Sequence, residues 1–272
     1  MSRSAARRIE HQAFFLLKSV NRAIRDYNMI HDGDRIAVAV SGGKDSLSLL
    51  YLLNARRRRA PERYELVAIH IRGDARGPSP PHTPLEDWLA RSGIPFVAED
   101  FELPADEPLP MNCQRCTWNR RKQLFLAADR LGCNVVALGH HADDLAETAL
   151  LNLFRHGRVD GMAPCAEYFG GRLRLIRPLI YVWEKELRCF ARALELPPPP
   201  PVCPRSQNTL REKAAALLHL ADLDFPHARL HLCRIALRAA LRSSELSDMR
   251  SCWAEGVHQP TPEPLRGRDA SA

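Results

Sequence analysis

Residues 35–46 read Arg-Ile-Ala-Val-Ala-Val-Ser-Gly-Gly-Lys-Asp-Ser, and they decide the fold. Arg35–Val40 is an apolar, β-branched run, the pattern of a buried strand. Leu47–Leu53 follows with the composition and length of a helix packed on a sheet. A strand, a tight glycine turn and a helix start bring several backbone N–H groups to one point, where the helix dipole adds partial positive charge. The turn is therefore an expected anion site. Gly42 and Gly43 admit positive φ and a close approach to the backbone, Ser41 and Ser46 add hydroxyls, and Lys44 adds a mobile charge. The spacing Gly-x-x-x-x-Gly-Lys-Ser/Thr of a Walker A loop is absent. The plain alternative is an ordinary βα turn; the Ser/Lys/Asp/Ser setting favours the anion site.

The 272 residues are 45% hydrophobic, enough for one large α/β domain or two small ones. A formal charge of +7, with arginine far commoner than lysine, points to a polyanionic partner, nucleic acid before membrane. A solvated basic surface explains the charge equally well. No apolar run reaches the roughly 18–20 residues of a membrane span. The N-terminus has no apolar core and small-residue cleavage site, so no signal peptide and a cytoplasmic location are expected. The eight cysteines then read as reduced thiols or metal ligands.

Outward from the glycine loop, strands are expected at Glu65–Ile71, Pro95–Phe101 and Asn134–Leu138, with helices at Pro84–Ser92, Thr117–Leu131 and Asp143–Phe154 between and after them. That alternation predicts an α/β fold with a parallel sheet and helices on both faces. Its ligand crevice lies at the carboxyl ends of the strands. Leu103–Pro110 and Arg155–Pro164 are expected to be irregular connections, Gly170-Gly171 a hairpin turn before Leu173–Ile180, and Pro197–Pro201 a rigid polyproline stretch. Helices are further expected at Glu184–Leu194, Asn208–Leu220 and Pro226–Arg242. The chain thus divides into a basic helix within 1–30, a central unit over 31–220, a helical extension over 221–250 and a disordered tail over 251–272.

The second motif is Leu138-Gly139-His140-His141-Ala142-Asp143-Asp144-Leu145-Ala146-Glu147-Thr148. On a helix Glu147 shares a face with Asp143 and Asp144, and acids opposite a phosphate loop suit Mg²⁺. Helix capping alone accounts for Asp143 or Asp144, but Glu147 lies too far in. The paired histidines are either strand-end core residues or nucleotide contacts. The third constellation is Cys113-Gln-Arg-Cys116 with the distant Cys203; such a pair serves a metal or a redox couple. The other cysteines read as small buried hydrophobes or incidental thiols.

Taken in order, Asn28-Met29-Ile30, Gly33-Asp34-Arg35, the Ser41–Ser46 loop, the Cys113/Cys116 pair, residues 138–148 and Cys203 resemble the tRNA 2-thiocytidine synthetases. These are PP-loop ATP pyrophosphatases of the adenine nucleotide alpha hydrolase-like fold. The resemblance covers about residues 8–220. It implies thiolation of cytidine 32 in the tRNA anticodon loop, with ATP adenylating the C2 oxygen and sulfur displacing AMP. It also implies ATP, Mg²⁺ and a [4Fe–4S] cluster as cofactors, a sulfur donor such as a cysteine desulfurase, and a homodimer as an option for assembly. Carried onto matching positions, Ser41, Gly42, Gly43, Lys44, Asp45, Ser46, His70, Gly139, His140 and Asp144 would contact the nucleotide. Asp144 and Glu147 would hold Mg²⁺. Cys113, Cys116 and Cys203 would hold the cluster, and with Lys44 and Asp45 form the catalytic set. Phosphates of tRNA are expected on Arg7, Arg8, Arg22 and Arg25 and on Arg155 and Arg158.

The chain departs from the family pattern at Pro199-Pro200-Pro201-Val202, where many members carry a second cysteine. Rival readings are a lysidine synthetase-like ligase, which needs no cysteine trio, and a non-catalytic nucleotide- or RNA-binding module.

Overall fold

The computed structural model describes residues 3–103, 107–201, 203 and 209–254. Its elements run α1 (Arg3–Asp26), β1 (Arg35–Ala39), α2 (Lys44–Arg56), β2 (Glu65–Arg72), α3 (Thr83–Arg91), β3 (Phe96–Asp100), α4 (Cys113–Arg130), β4 (Val135–Ala137), α5 (Ala142–His156), β5 (Cys165–Tyr168), β6 (Leu173–Ile176), α6 (Glu184–Ala193), α7 (Leu210–Asp224) and α8 (Ala228–Ala254). The strands form one six-stranded sheet in the order β3-β2-β1-β4-β6-β5. Every pairing is parallel except the edge hairpin β5–β6.

Alternation along the strands sorts the core into two layers. Ile36, Val38, Leu66, Ala68 and Val135 face α1, α2, α3, α5 and α6. Ala37, Val67, Ile69, Ile71 and Val136 face Leu124, Phe125, Ala127 and Ala128 of α4. Helices therefore cover both faces, as the alternation predicts. Strand order reverses direction between β1 and β4, which opens a crevice at their carboxyl ends. At the amino ends, the buried Asp34 accepts from Arg174 at 3.0 Å and from Asn134 at 2.7 Å, tying β6 to the entry of β1.

Three expectations shift. α4 begins at Cys113, not Thr117, because Asn112 caps it by accepting from the Arg115 amide at 2.8 Å. Residues 165–168, to which the sequence assigns no element, form the first strand of the hairpin expected at Gly170-Gly171 and pair antiparallel with β6. β6 stops at Ile176, before Pro178, which has no amide hydrogen to donate.

The helices beyond residue 209 pack back onto the sheet layer. Ala214 and Leu218 of α7 and Cys233 and Ala236 of α8 are buried, and α7 and α8 both lie against α5. α8 continues to Ala254; of the expected tail, residues 255–272 lie outside the described residues. Among the described residues no helix is long and apolar enough to cross a membrane.

Candidate active site

The glycine loop turns from β1 into α2 as its composition requires. Gly42 takes φ +85, and a Cβ there would lie 2.5 Å from Pro200 Cδ, so the polyproline stretch closes over the turn. Gly43 is the N-cap of α2 and makes no side-chain cap, leaving the first helical amides open toward the crevice. Ser46 donates to the Gly43 carbonyl at 2.9 Å and accepts from the Ser41 amide at 3.2 Å, which fixes the loop from within.

Lys44 extends between two carboxylates, 2.9 Å from Glu184 Oε1 and 3.0 Å from Asp45 Oδ2. Burial opposes its charge, but the two acids outweigh that and hold the ammonium above its ordinary range. Asp45 Oδ1 is buried without a hydrogen-bond partner. An orphaned acid oxygen beside a phosphate-type loop is the donor a cation would complete.

The cleft at this point encloses about 360 Å³ and draws on four parts of the chain. The end of β1 and the loop supply Ser41, Gly43, Asp45 and Ser46, and β2 supplies Ile69 and Ile71. Thr117, Arg120, Arg121 and Leu124 come from α4, and Gly139, His140 and Asp144 from the segment after β4. Gly42 and Lys44 open instead into the adjoining cavity beneath Pro197 and Pro199. His70 does not enter the cleft. Strand alternation turns it from Ile69 and Ile71 to the opposite face, where Nδ1 lies 2.7 Å from the Val40 carbonyl oxygen.

After β4, His141 caps α5 and forms a reciprocal capping box with Asp144. Asp144 Oδ2 accepts from the His141 amide at 3.0 Å, while Oδ1 pairs with Arg211 of α7 at 3.0 Å. Capping and an outward carboxylate oxygen thus coexist in one residue. Glu147, one turn on, is pushed up to about 7 by burial and by the Asp144 charge, with Arg211 pulling the other way. Asp143 faces elsewhere: it accepts from the Glu184 amide at 2.7 Å and pairs with Arg229. His140 is pushed down to about 4 by burial and by Arg177, which donates to its Nδ1 at 3.3 Å.

Cys113 and Cys116 occupy the first turn of α4, on the stripe that continues through Thr117 and Arg120 to Leu124. Cys116 and Cys203 pack against the same apolar cluster beneath α4. Arg120 reaches the carbonyls of Gly73 and Ile71, and its charge acts on Cys116 against the burial that raises the thiol. Among the described residues no group of three His, Cys, Asp or Glu side chains stands as a ready ligand set. The donor chemistry nonetheless fits a cluster: two thiols one helical turn apart, a third in the same apolar patch, and a guanidinium among them. None of the described cysteines forms a disulfide.

Glu184, Arg120, Arg177 and Arg211 were not among the expected site residues. Arg120 belongs to no motif of the sequence, and Arg211 lies 67 positions from Asp144 with no local signal linking them. Of the expected tRNA contacts, Arg155 sits at the far end of α5, about 16 Å along the axis from Asp144. Arg158 pairs with Asp160 at 3.7 Å, and Arg22 stacks on Tyr181 at 4.3 Å.

Residues 16–197 match the family model of the PP-loop domain. The tRNA-cytidine(32) 2-sulfurtransferase of Sorangium cellulosum is 41% identical over 238 residues, 86% of this chain and 83% of that protein. That of Geobacter sulfurreducens is 42% identical over 223 residues, 79% and 86% of the two chains. Among solved structures, the U34-tRNA thiolase NcsA from Methanococcus maripaludis, determined with its [4Fe-4S] cluster, superposes with a TM-score of 0.65. It is 25% identical and covers 83% of this chain and 78% of its own. A parallel sheet switching direction at an uncapped glycine loop, and relatives of this identity over most of their length, make this chain a member of the PP-loop tRNA-cytidine(32) 2-sulfurtransferase family.

Proposed function

We propose that this chain replaces the C2 oxygen of cytidine 32 in a tRNA anticodon loop with sulfur, in two steps at the cleft. First the base oxygen attacks the α-phosphorus of ATP; the new O–P bond forms as the bond to pyrophosphate breaks. Then sulfur at the sulfide level attacks C2, and AMP leaves with the original oxygen. No net oxidation occurs.

The open amides of α2 and the hydroxyls of Ser41 and Ser46 bind the phosphates, and Lys44 moves from its carboxylates to the negative charge that grows on pyrophosphate. Asp144, Glu147 and the orphaned oxygen of Asp45 are the residues that would hold Mg²⁺, which supplies further charge neutralisation. Gly139 and His140 border the nucleotide. Cys113, Cys116 and Cys203 would hold a [4Fe–4S] cluster whose three-ligand attachment leaves one iron open to carry sulfur. A cysteine desulfurase would provide that sulfur as a persulfide, which an external two-electron reductant such as a thiol would bring to the sulfide level; the enzyme would act on cytoplasmic tRNA, and a homodimer is a compatible assembly.

The observation that supports this reading is the α4 stripe, which starts at the cysteine pair and whose Thr117, Arg120 and Leu124 line the same cleft as the glycine loop. The test is anaerobic purification with iron and sulfide counts and EPR, followed by mass spectrometry of nucleosides from tRNA treated with ATP and a sulfur source. Cys113→Ala, Cys116→Ala and Cys203→Ala should each lose iron and 2-thiocytidine while still binding ATP. An active, iron-free Cys203→Ala protein would falsify the cluster assignment. Lysine attachment without iron would instead identify a lysidine synthetase-like ligase.

A further inference from the structure

Two stripes diverge along α4. Thr117, Arg120 and Leu124 line the cleft, whereas Trp118, Lys122 and Phe125 line a second groove of about 570 Å³ against the β5–β6 hairpin. Arg121 belongs to both, so the groove and the cleft meet at that side chain. Trp118 is 71% exposed, and Phe169, on the hairpin turn, is 65% exposed. Phe169 holds φ +55, a left-handed conformation uncommon for an aromatic residue, with its ring edge-on to Phe125 at 6.1 Å. Arg121, Lys122 and Arg172 supply cations, and the carboxylate in the lining, Asp129, is already paired with Arg172 at 3.2 Å.

Exposed aromatic faces interleaved with cations match single-stranded RNA, whose bases stack on rings while its phosphates meet Lys and Arg. An apolar protein partner would leave three cations to be desolvated, and a duplex keeps its base faces stacked out of reach. Resting on the function proposed above, we infer that this groove binds the anticodon-loop nucleotides flanking the target cytidine. Their bases stack on Trp118 and Phe169. The cytidine then crosses the width of α4, about 10 Å, into the cleft.

The experiment measures binding of an anticodon stem-loop RNA to the full chain by fluorescence anisotropy across a salt series, together with KM and kcat for thiolation. Trp118→Ala and Phe169→Ala should each weaken binding about 5- to 100-fold at every salt concentration and raise KM for tRNA, with ATP affinity unchanged. Trp118→Phe should recover most of the loss. Lys122→Gln should lower the salt slope by about 0.7 without that uniform drop. Wild-type affinity and KM in both alanine variants would overturn the inference while leaving the thiolation reading intact. Loss of a dimer at unchanged RNA affinity would overturn it too, and assign the groove to a second copy of the chain. A wild-type protein that binds no stem-loop overturns both.

Discussion

Gly139 lies against the backbone of Ser46: a Cβ on Gly139 would stand 3.0 Å from the Ser46 amide nitrogen and 3.1 Å from the Asp45 carbonyl carbon. The segment after β4 and the first turn of α2 are thereby held in backbone contact, so the anion site and the acidic motif form one rigid edge. Gly139→Ala should push them apart, costing on the order of 1–3 kcal/mol of stability and most ATP–pyrophosphate exchange. Thermal melts and exchange assays check this. Wild-type values in both would show that the contact relaxes without consequence.

Lys44 is half-exposed between Glu184 and Asp45, and Glu184 keeps Arg188 as a second partner at 3.0 Å. Lys44→Ala should therefore cost under about 1 kcal/mol of folding stability. Its loss at the phosphates removes a charge-assisted contact worth roughly 1.5–3 kcal/mol, so ATP affinity or turnover should fall about ten- to hundredfold. Calorimetric titration with ATP and a urea melt on one preparation separate the effects. Ser46→Ala should weaken activity less.

Asp143 and Asp144 are adjacent but differ in what they hold. Asp143→Ala leaves the Glu184 amide without its acceptor and Arg229 with Asp222 alone, at 3.0 Å, and should cost about 1–3 kcal/mol of stability. Asp144→Asn keeps much of the cap and should instead reduce Mg²⁺-dependent turnover. Urea midpoints and turnover at varied Mg²⁺ would expose an exchange of the two roles.

Glu147 carries a pH signature. Its unfolded carboxyl releases a proton near 4.5, whereas the folded one retains it to about 7. Between those values the unfolded chain binds fewer protons, so stability falls as pH rises from about 4.5 to 7 and is level above. Glu147→Gln should remove that decline, on the order of 2–3 kcal/mol, in nucleotide-free protein. Urea midpoints at pH 5 and pH 8 for both proteins measure it; an identical decline in the variant would mean that another group titrates.

Local chemistry made the core of this fold readable. Residues 35–53 encode strand, glycine turn and helix through period, β-branching and backbone freedom, none of which needs a distant partner. Parallel pairing followed from the alternation of strands and helices, and the crevice followed from the parallel sheet. The start of α4 at Cys113 was also encoded, by Asn112, although the prolines before it read more strongly as extended chain.

Contacts between remote segments were decided only by packing. Arg211 reaches Asp144 because α7 lies on α5, Glu184 reaches Lys44 because α6 lies on α2, and Cys203 joins the cluster of Cys116 across 87 positions. Strand alternation turned His70 away from the cleft although its neighbours Ile69 and Ile71 line it. A local pattern specifies backbone geometry, which is short-ranged. Which charges meet depends on how the layers close over the sheet, and that is set by the sum of many burial contacts rather than by any one motif.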